Sequence, residues 1–224
     1  MKILFFDATQ DWIHVSTAIL NSEKPDELIY EFKEYCPKES SFRLVEEIRK
    51  ALQTSDWQKP DCIFVLTGPG SFTGIRITVT TARNLSQLWQ IPCLGMDSVE
   101  AYCTYFSHIK NKKSAFVCLD GRQKKFYFGH LTEGNYTGTF DWPSEKIAEY
   151  LKNVQMEDVC FVYSGETNVP FYSEMIKIEE TLPESMPILE SKKDTILFAD
   201  LKISNYSHLL PNYIRGTYLE TNTT

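Results

Sequence analysis

Leu66-Thr67-Gly68-Pro69-Gly70-Ser71-Phe72-Thr73-Gly74-Ile75-Arg76 follows a short apolar run over 62–66 and leads into about four helical turns over 75–90. A strand, a glycine-rich turn and a helix in that order can cradle a phosphate. Glycines let the backbone approach, and the helix start offers free N–H groups. The spacing decides against a P-loop. Gly70 and Gly74 are four apart, and Ile75 and Arg76 stand where a lysine and a hydroxyl residue should follow. The dinucleotide fingerprint fails as well, because Gly68, Gly70 and Gly74 have the wrong last interval and the strand is not the first. Spacing alone therefore favours a tight turn whose glycines supply positive φ and seat the helix close to the sheet over an anion-binding loop.

The helix that follows has one apolar stripe, Ile75, Val79, Ala82, Leu85 and Trp89. Thr78, Thr81, Asn84 and Gln87 lie mostly off that stripe, with few charges around Leu88. A solvated face usually carries Lys and Glu, so this one reads as a semi-buried contact surface.

The chain has 224 residues, enough for two modest domains or one large one with a sizeable core. A formal net charge of −7 argues against a protein that wraps nucleic acid by itself, since neutralising phosphates needs a basic surface. The six cysteines, at 36, 62, 93, 103, 118 and 160, form no C-x-x-C pair. Most lie in apolar runs, so they read as reduced, buried thiols of a cytoplasmic protein. No stretch is long and apolar enough to span a membrane, and the opening residues have too short an apolar core for a signal peptide.

Read in order, the chain opens with a continuous apolar run over 3–6 that ends at Asp7, the mark of a central strand. Strands follow over 13–20 and 28–32. Next come a helix over 42–53 capped by Ser40 or Ser41, the strand 62–66, the glycine turn and the long helix. A strand over 92–96 and a helix opened by Asp97 and Glu100 at capping-box spacing complete this half. A similar order then restarts. The run 116–119 ends at Asp120, strands are expected over 126–131, 136–140 and 159–163, and Pro143-Ser144 opens a helix. Residues 166–192 contain Pro170, Pro183 and Pro187 and read as irregular, and Asp194 is a candidate cap for a helix over 194–204. The order alone suggests a duplicated α/β fold. The divisions are a first lobe over 1–108, with the 194–204 helix packed back on it, a smaller second lobe over 109–193, and a tail over 205–224.

The four histidines form neither H-x-x-x-H nor H-E-x-x-H, so no helix offers two imidazoles to a metal. His14 alternates inside a strand and reads as a satisfied, partly buried residue. G-x-S-x-G is absent, and no cue places a base beside Ser71 or Thr73. Arg76 and Arg83, seven apart, can bind phosphate or, more simply, pair with acidic groups. The lysines at 110, 112 and 113, and the group Arg122, Lys124 and Lys125, are too few for an RNA site.

Gly-Pro-Gly-Ser-Phe-Thr-Gly-Ile-Arg over 68–76, followed by Val79-Thr80-Thr81-Ala82-Arg83, resembles the signature of the TsaB (YeaZ) family, accessory proteins of bacterial tRNA threonylcarbamoyladenosine synthesis. Ile91 to Ala101 is similar to that family's next strand and helix, and Leu209-Leu210-Pro211-Asn212-Tyr213-Ile214-Arg215 resembles its C-terminal tail. The resemblance implies a two-lobed, duplicated actin-like ATPase (ASKHA) fold with a degenerate nucleotide site. Active members of that superfamily keep a glycine and a hydroxyl residue close after the first Asp. Here Asp7 precedes Ala8-Thr9-Gln10, while Asp120-Gly121 is crowded by Arg122. Asp7 and Asp120 therefore read as strand-end residues that satisfy turn N–H groups. A vestigial nucleotide groove over Asp7, Thr9, Asp120 and Gly121 is the competing reading. The chain lacks the paired metal-binding histidines of the catalytic paralogue in the same pathway.

The role implied is that of a catalytically inactive, cofactor-free scaffold. It would bind and activate a TsaD-type paralogue, with a TsaE-type ATPase completing the complex, tRNA contacted only through it, and a homodimer in isolation. The interface expected from the family falls on Phe42 and Val45 of the 42–53 helix and on Phe72, Arg76, Thr78, Thr81, Leu85 and Leu88. The alternatives are a stand-alone actin-fold small-molecule kinase or ATPase and an M22-type peptidase. The first lacks the phosphate-grip lysine, and the second lacks zinc ligands and a nucleophile–base pair.

Overall fold

Ile3 to Phe6 are fully buried because the strand they belong to, Lys2–Asp7 (β1), is covered on both faces. A computed structural model of the chain describes residues 1–37, 39–154, 158–165, 175–199 and 206–214. β1 pairs antiparallel with Trp12–Ile19 (β2), which pairs antiparallel with Glu27–Tyr35 (β3). On its other side β1 lies parallel to Cys62–Leu66 (β4), and β4 lies parallel to Cys93–Met96 (β5). The sheet order is β3-β2-β1-β4-β5. The helices Ser40–Thr54 (α1) and Phe72–Trp89 (α2) lie between β3 and β4 and between β4 and β5 in the chain, and Ser98–Ile109 (α3) follows β5.

The pattern recurs. Ser114–Asp120 (β6) pairs antiparallel with Lys125–Thr132 (β7), and β7 pairs antiparallel with Asn135–Pro143 (β8). β6 also runs parallel to Val159–Tyr163 (β9), which runs parallel to Met175–Lys177 (β10). The second sheet is ordered β8-β7-β6-β9-β10, so strand for strand it copies the first. This is the duplicated α/β architecture of actin-like ATPases (ASKHA). Ser144–Leu151 (α4) precedes β9, and Ser185–Ser191 (α5) and Lys193–Leu197 (α6) follow β10.

Alternation along the central strands builds the layers. Leu4 and Phe6 of β1, with Ile63 and Val65 of β4, face Leu44 and Ile48 of α1 and Ile75 and Val79 of α2. The opposite side chains, Ile3, Phe5 and Phe64, pack on Tyr102 and Phe106 of α3. That same cluster takes in Ala115, Val117 and Leu119 of β6 and Ile188 and Leu189 of α5. The core is therefore continuous from one sheet to the other through α3 and α5. The far face of the second sheet, with Phe116, Phe128 and Phe161, packs against Ile147 and Leu151 of α4.

Three local expectations are corrected. Within the region read as irregular, 175–180 and 185–191 form β10, a 3-10 turn and α5; 181–184 have no regular element, as expected, and 166–174 lie outside the described residues. Pro187 is third in α5, where a backbone N–H has no intrahelical acceptor to lose. Ile188 and Leu189 are held by the core. α1 has Glu39 at its N-cap with no side-chain cap, so it starts at Ser40 instead of after it. α6 has Lys192 at its N-cap, Asp194 in its first turn, and ends at Leu197; residues 200–204 of the expected 194–204 helix lie outside the described residues. The expected cap at Asp97 does form, accepting from Val99 N and Glu100 N. The Glu100 carboxylate instead meets Lys192 Nζ at 2.7 Å.

α5 is tied to the first sheet by one carboxylate. Glu31 Oε1 accepts from His14 Nε2 at 2.9 Å and from Ser185 N and Oγ at 2.8 Å each. Burial pushes this carboxyl up, but the His14 and Ser185 bonds outweigh it and hold it down at about 2. A depressed carboxylate contributes stability that is complete above its unfolded value of 4.5 and is lost as pH falls from there towards about 2. Glu31→Gln is therefore expected to lose on the order of 2 kcal/mol at pH 7 and to show a flatter decline below pH 4.5. Urea melts of both proteins at pH 7 and pH 3 measure this, and parallel pH profiles would refute it.

Candidate functional site

The glycine turn is closed onto the turn after β1. Ser71 N donates to Thr9 O at 2.6 Å, and Gln10 Nε2 donates to Pro69 O at 2.8 Å. A Cβ on Gly70 would stand 2.1 Å from Thr9 O, and one on Gly74 2.0 Å from Ala8 O. Gly68 has φ of 102°, and the Gly68–Pro69 peptide is cis. Ser71 caps α2, accepting from Gly74 N. From the other side Asn212 N donates to Thr67 O at 2.8 Å, and Asn212 Nδ2 reaches Asp97 Oδ2 at 2.7 Å. The glycines thus serve turn geometry and close approach, the reading their spacing favoured. Asp97 also accepts from Thr139 Oγ1 of β8, at 2.9 Å to each carboxylate oxygen. It therefore ties together α3, the second sheet and the C-terminal segment, a role its capping spacing alone did not reveal.

Both strand-end aspartates satisfy turn amides. Asp7, only 1% exposed, accepts from Thr9 N at 2.8 Å and Tyr102 OH at 2.9 Å. Burial pushes its carboxyl up. Asp120 accepts from Arg122 N at 2.8 Å. The residues of the candidate groove separate here. Asp120 and Gly121 line a cleft of about 590 Å³, whereas Asp7 and Thr9 lie buried and outside its lining. The cleft is walled by the turn after β1, the glycine turn, the β6–β7 turn and the residues after β9. It thus sits at the carboxyl ends of the central parallel strands of both sheets, where open α/β folds hold ligands. Trp12, Tyr35, Glu179 and Tyr213 also line it. Sequence reading missed Glu179 because it lies in the stretch taken as irregular.

The expected contact surface divides in two. Phe42 is 86% exposed, Val45 62%, Leu88 73% and Phe72 48%. Arg76 is exposed, and its guanidinium lies 3.7 Å over the Phe72 ring while its Nε donates to Tyr213 OH at 3.1 Å. Thr81 and Leu85 are half-buried. Thr78 contradicts the expectation that it lies off the core. It is fully buried, and its Oγ1 accepts from Ala8 N at 3.1 Å. The reason is its place one turn beyond Gly74, on the face that packs against the turn after β1.

Among the described residues no group of three His, Cys, Asp or Glu side chains could hold a metal, and no helix is long and apolar enough to cross a membrane. All six cysteines are buried.

A family model described as TsaD: tRNA N6-adenosine threonylcarbamoyltransferase matches residues 34–183. The tRNA threonylcarbamoyladenosine biosynthesis protein TsaB of Bacillus subtilis (strain 168) is 32% identical over 158 residues, covering 69% of this chain and 68% of the relative. The protein of the same name from Buchnera aphidicola subsp. Schizaphis graminum (strain Sg) is 29% identical over 158 residues, covering 70% and 71%. The solved structure of YeaZ from Pseudomonas aeruginosa superimposes with a TM-score of 0.74 at 18% identity, covering 95% of this chain and 99% of that one. At that identity the superposition speaks to the fold.

Proposed function

This chain belongs to the TsaB (YeaZ) family, and from that membership we propose that it takes part in tRNA threonylcarbamoyladenosine biosynthesis as a non-catalytic partner of a TsaD-type paralogue. It binds and activates that paralogue for threonylcarbamoyl transfer to tRNA adenosine in the cytoplasm. A TsaE-type ATPase completes the assembly, tRNA is met only through the complex, and the isolated chain pairs with itself.

The observation that carries this reading is the exposed apolar surface of Phe42, Val45 and Leu88 on two neighbouring helices. Side chains of this size on water-facing helix positions suit a protein–protein contact. Thr81 and Leu85 lie on Leu88's side of α2, whereas Phe72 and Arg76 lie at the start of that helix and on its other side, against Tyr213. Thr78 is not part of it. A contact of ordinary size buries roughly 1,600 Å² in total, within reach of two helices per partner. The family membership favours this role over a stand-alone kinase, ATPase or peptidase.

Val45→Arg and Leu88→Arg each place a charge at the centre of this contact. Each is expected to weaken association with the TsaD-type paralogue by about 2 kcal/mol or more, roughly thirtyfold. The same change should remove the homodimer and abolish tRNA modification by the reconstituted proteins. Circular dichroism should be unchanged, because both positions face water. Size-exclusion chromatography of each variant, alone and mixed with the paralogue, makes the measurement. Folded variants that still associate like the parent would move the contact elsewhere.

A further inference from the structure

The two helices of the proposed contact do not share the charge of the chain that carries them. α1 and α2 together hold five basic and two acidic residues, a formal +3, so the rest of the chain, at −7 overall, carries −10. α2 holds no acidic residue.

The charges also differ in how they are used. Arg43 meets Glu34 at 2.7 Å, and Lys50 meets Glu46 at 3.0 Å and Glu47 at 2.9 Å, so both acids of α1 are already engaged. Among the described residues Arg49, Arg76 and Arg83 form no ion pair. Arg49 is exposed and follows Val45 by four, which sets it beside that side chain on the outer face of α1. Arg76, exposed, and Arg83, half-buried, are seven apart and run along the side of α2 away from Leu88. Between them and Leu88 the outward positions Thr80, Asn84 and Gln87 are exposed and uncharged. Guanidiniums thus border the apolar surface of Phe42, Val45 and Leu88 on both sides. A helix is about 10 Å across, close to one Debye length at physiological salt, so their fields overlap on that surface.

A second copy of the chain would bring the same unpaired arginines to the contact, and juxtaposed like charges oppose association. A partner with carboxylates facing them gains planar, bidentate pairs instead. Nucleic acid suits the face less well, because its centre is apolar and the −10 on the rest of the chain repels phosphate.

Resting on the α1–α2 reading above, we infer that this face is matched to an acidic face of the TsaD-type paralogue and mismatched to a second copy, with Arg49 the residue that discriminates between them.

Sedimentation equilibrium of the full chain, alone and mixed with the paralogue, at about 50 and about 500 mM sodium chloride makes the test. The mixed complex should weaken about tenfold at the higher salt, whereas self-association should hold or tighten. Arg49→Glu should weaken the mixed complex about tenfold and tighten self-association about threefold. Lys24→Glu makes the same reversal in the exposed loop between β2 and β3 and should change neither. Val45→Arg, run in the same series, separates the two readings. If it leaves both complexes intact, the contact lies elsewhere and this inference falls with the α1–α2 reading. If it breaks both while Arg49→Glu binds the paralogue as tightly as the parent, the contact is correctly placed and the charge inference alone is overturned. A mixed complex indifferent to salt, an equal effect of Lys24→Glu, or tRNA binding by the isolated chain that Arg49→Glu abolishes would overturn it as well.

Discussion

Thr78→Arg is expected to yield no soluble folded protein. Thr78 is fully buried and gives the Ala8 N–H its acceptor at 3.1 Å. Arginine there would bury an unpaired charge, overfill the gap between α2 and the turn after β1, and orphan a backbone amide. The combined loss should exceed about 4 kcal/mol, a large part of what holds a domain together. Two milder variants separate the causes. Thr78→Ser keeps the hydroxyl and should cost about 1 kcal/mol for the lost methyl. Thr78→Val keeps the shape but leaves the Ala8 N–H unpaired, at about 1–3 kcal/mol. Urea melts of the serine and valine variants, with the soluble yield of the arginine variant, make the comparison. A folded Thr78→Arg protein with parental stability would show that the hydroxyl's position is not what seats α2.

Gly74→Ala should be nearly as damaging, against the usual sign. Alanine normally stabilises a helix relative to glycine by about 0.5–1 kcal/mol. Here the new Cβ would lie 2.0 Å from Ala8 O and 3.1 Å from Ala8 C, both backbone atoms that cannot rotate away. Either α2 shifts outward or the turn after β1 opens, and both break the seal made by Ser71 and Gln10. Overpacking of this kind costs about 3 kcal/mol or more. For a chain of this size that lowers the melting temperature by roughly 6–12 °C. Calorimetry of Gly74→Ala beside Gly134→Ala supplies the contrast, since a Cβ on Gly134 meets nothing within 4 Å, although its φ of 80° still strains alanine. A Gly74→Ala melting temperature at or above the parent's would remove the steric account of this glycine.

These variants mark where sequence reading succeeds and where it stops. The continuous apolar runs of β1 and β6 place the two central strands, and the repeated order of elements announces the duplication before any contact is known. Glycine spacing is enough to set aside a phosphate loop. Periodicity fails at Thr78, because a one-dimensional pattern finds the widest apolar stripe and cannot see a second packing face made of a glycine and a threonine. It fails again at α5, where prolines read as irregularity although the first helical turn tolerates Pro187. The Glu179 carboxylate and the Asp97–Asn212 bond were out of reach for a different reason. Each joins segments 14 to 115 positions apart along the chain, and composition carries no trace of such pairings.

The continuous core through α3 also has a consequence for synthesis on the ribosome. Ile3, Phe5, Tyr102 and Phe106 share one cluster with Ile188, Leu189 and Ile196. The 79 residues from Lys110 to Ile188 need roughly 4–16 s to be added at ordinary elongation rates. Until α5 is made, the apolar side of α3 that it covers lacks that partner. The nascent chain, more than the finished protein, therefore presents a surface for chaperones to hold, and the last quarter of the sequence ends that exposure.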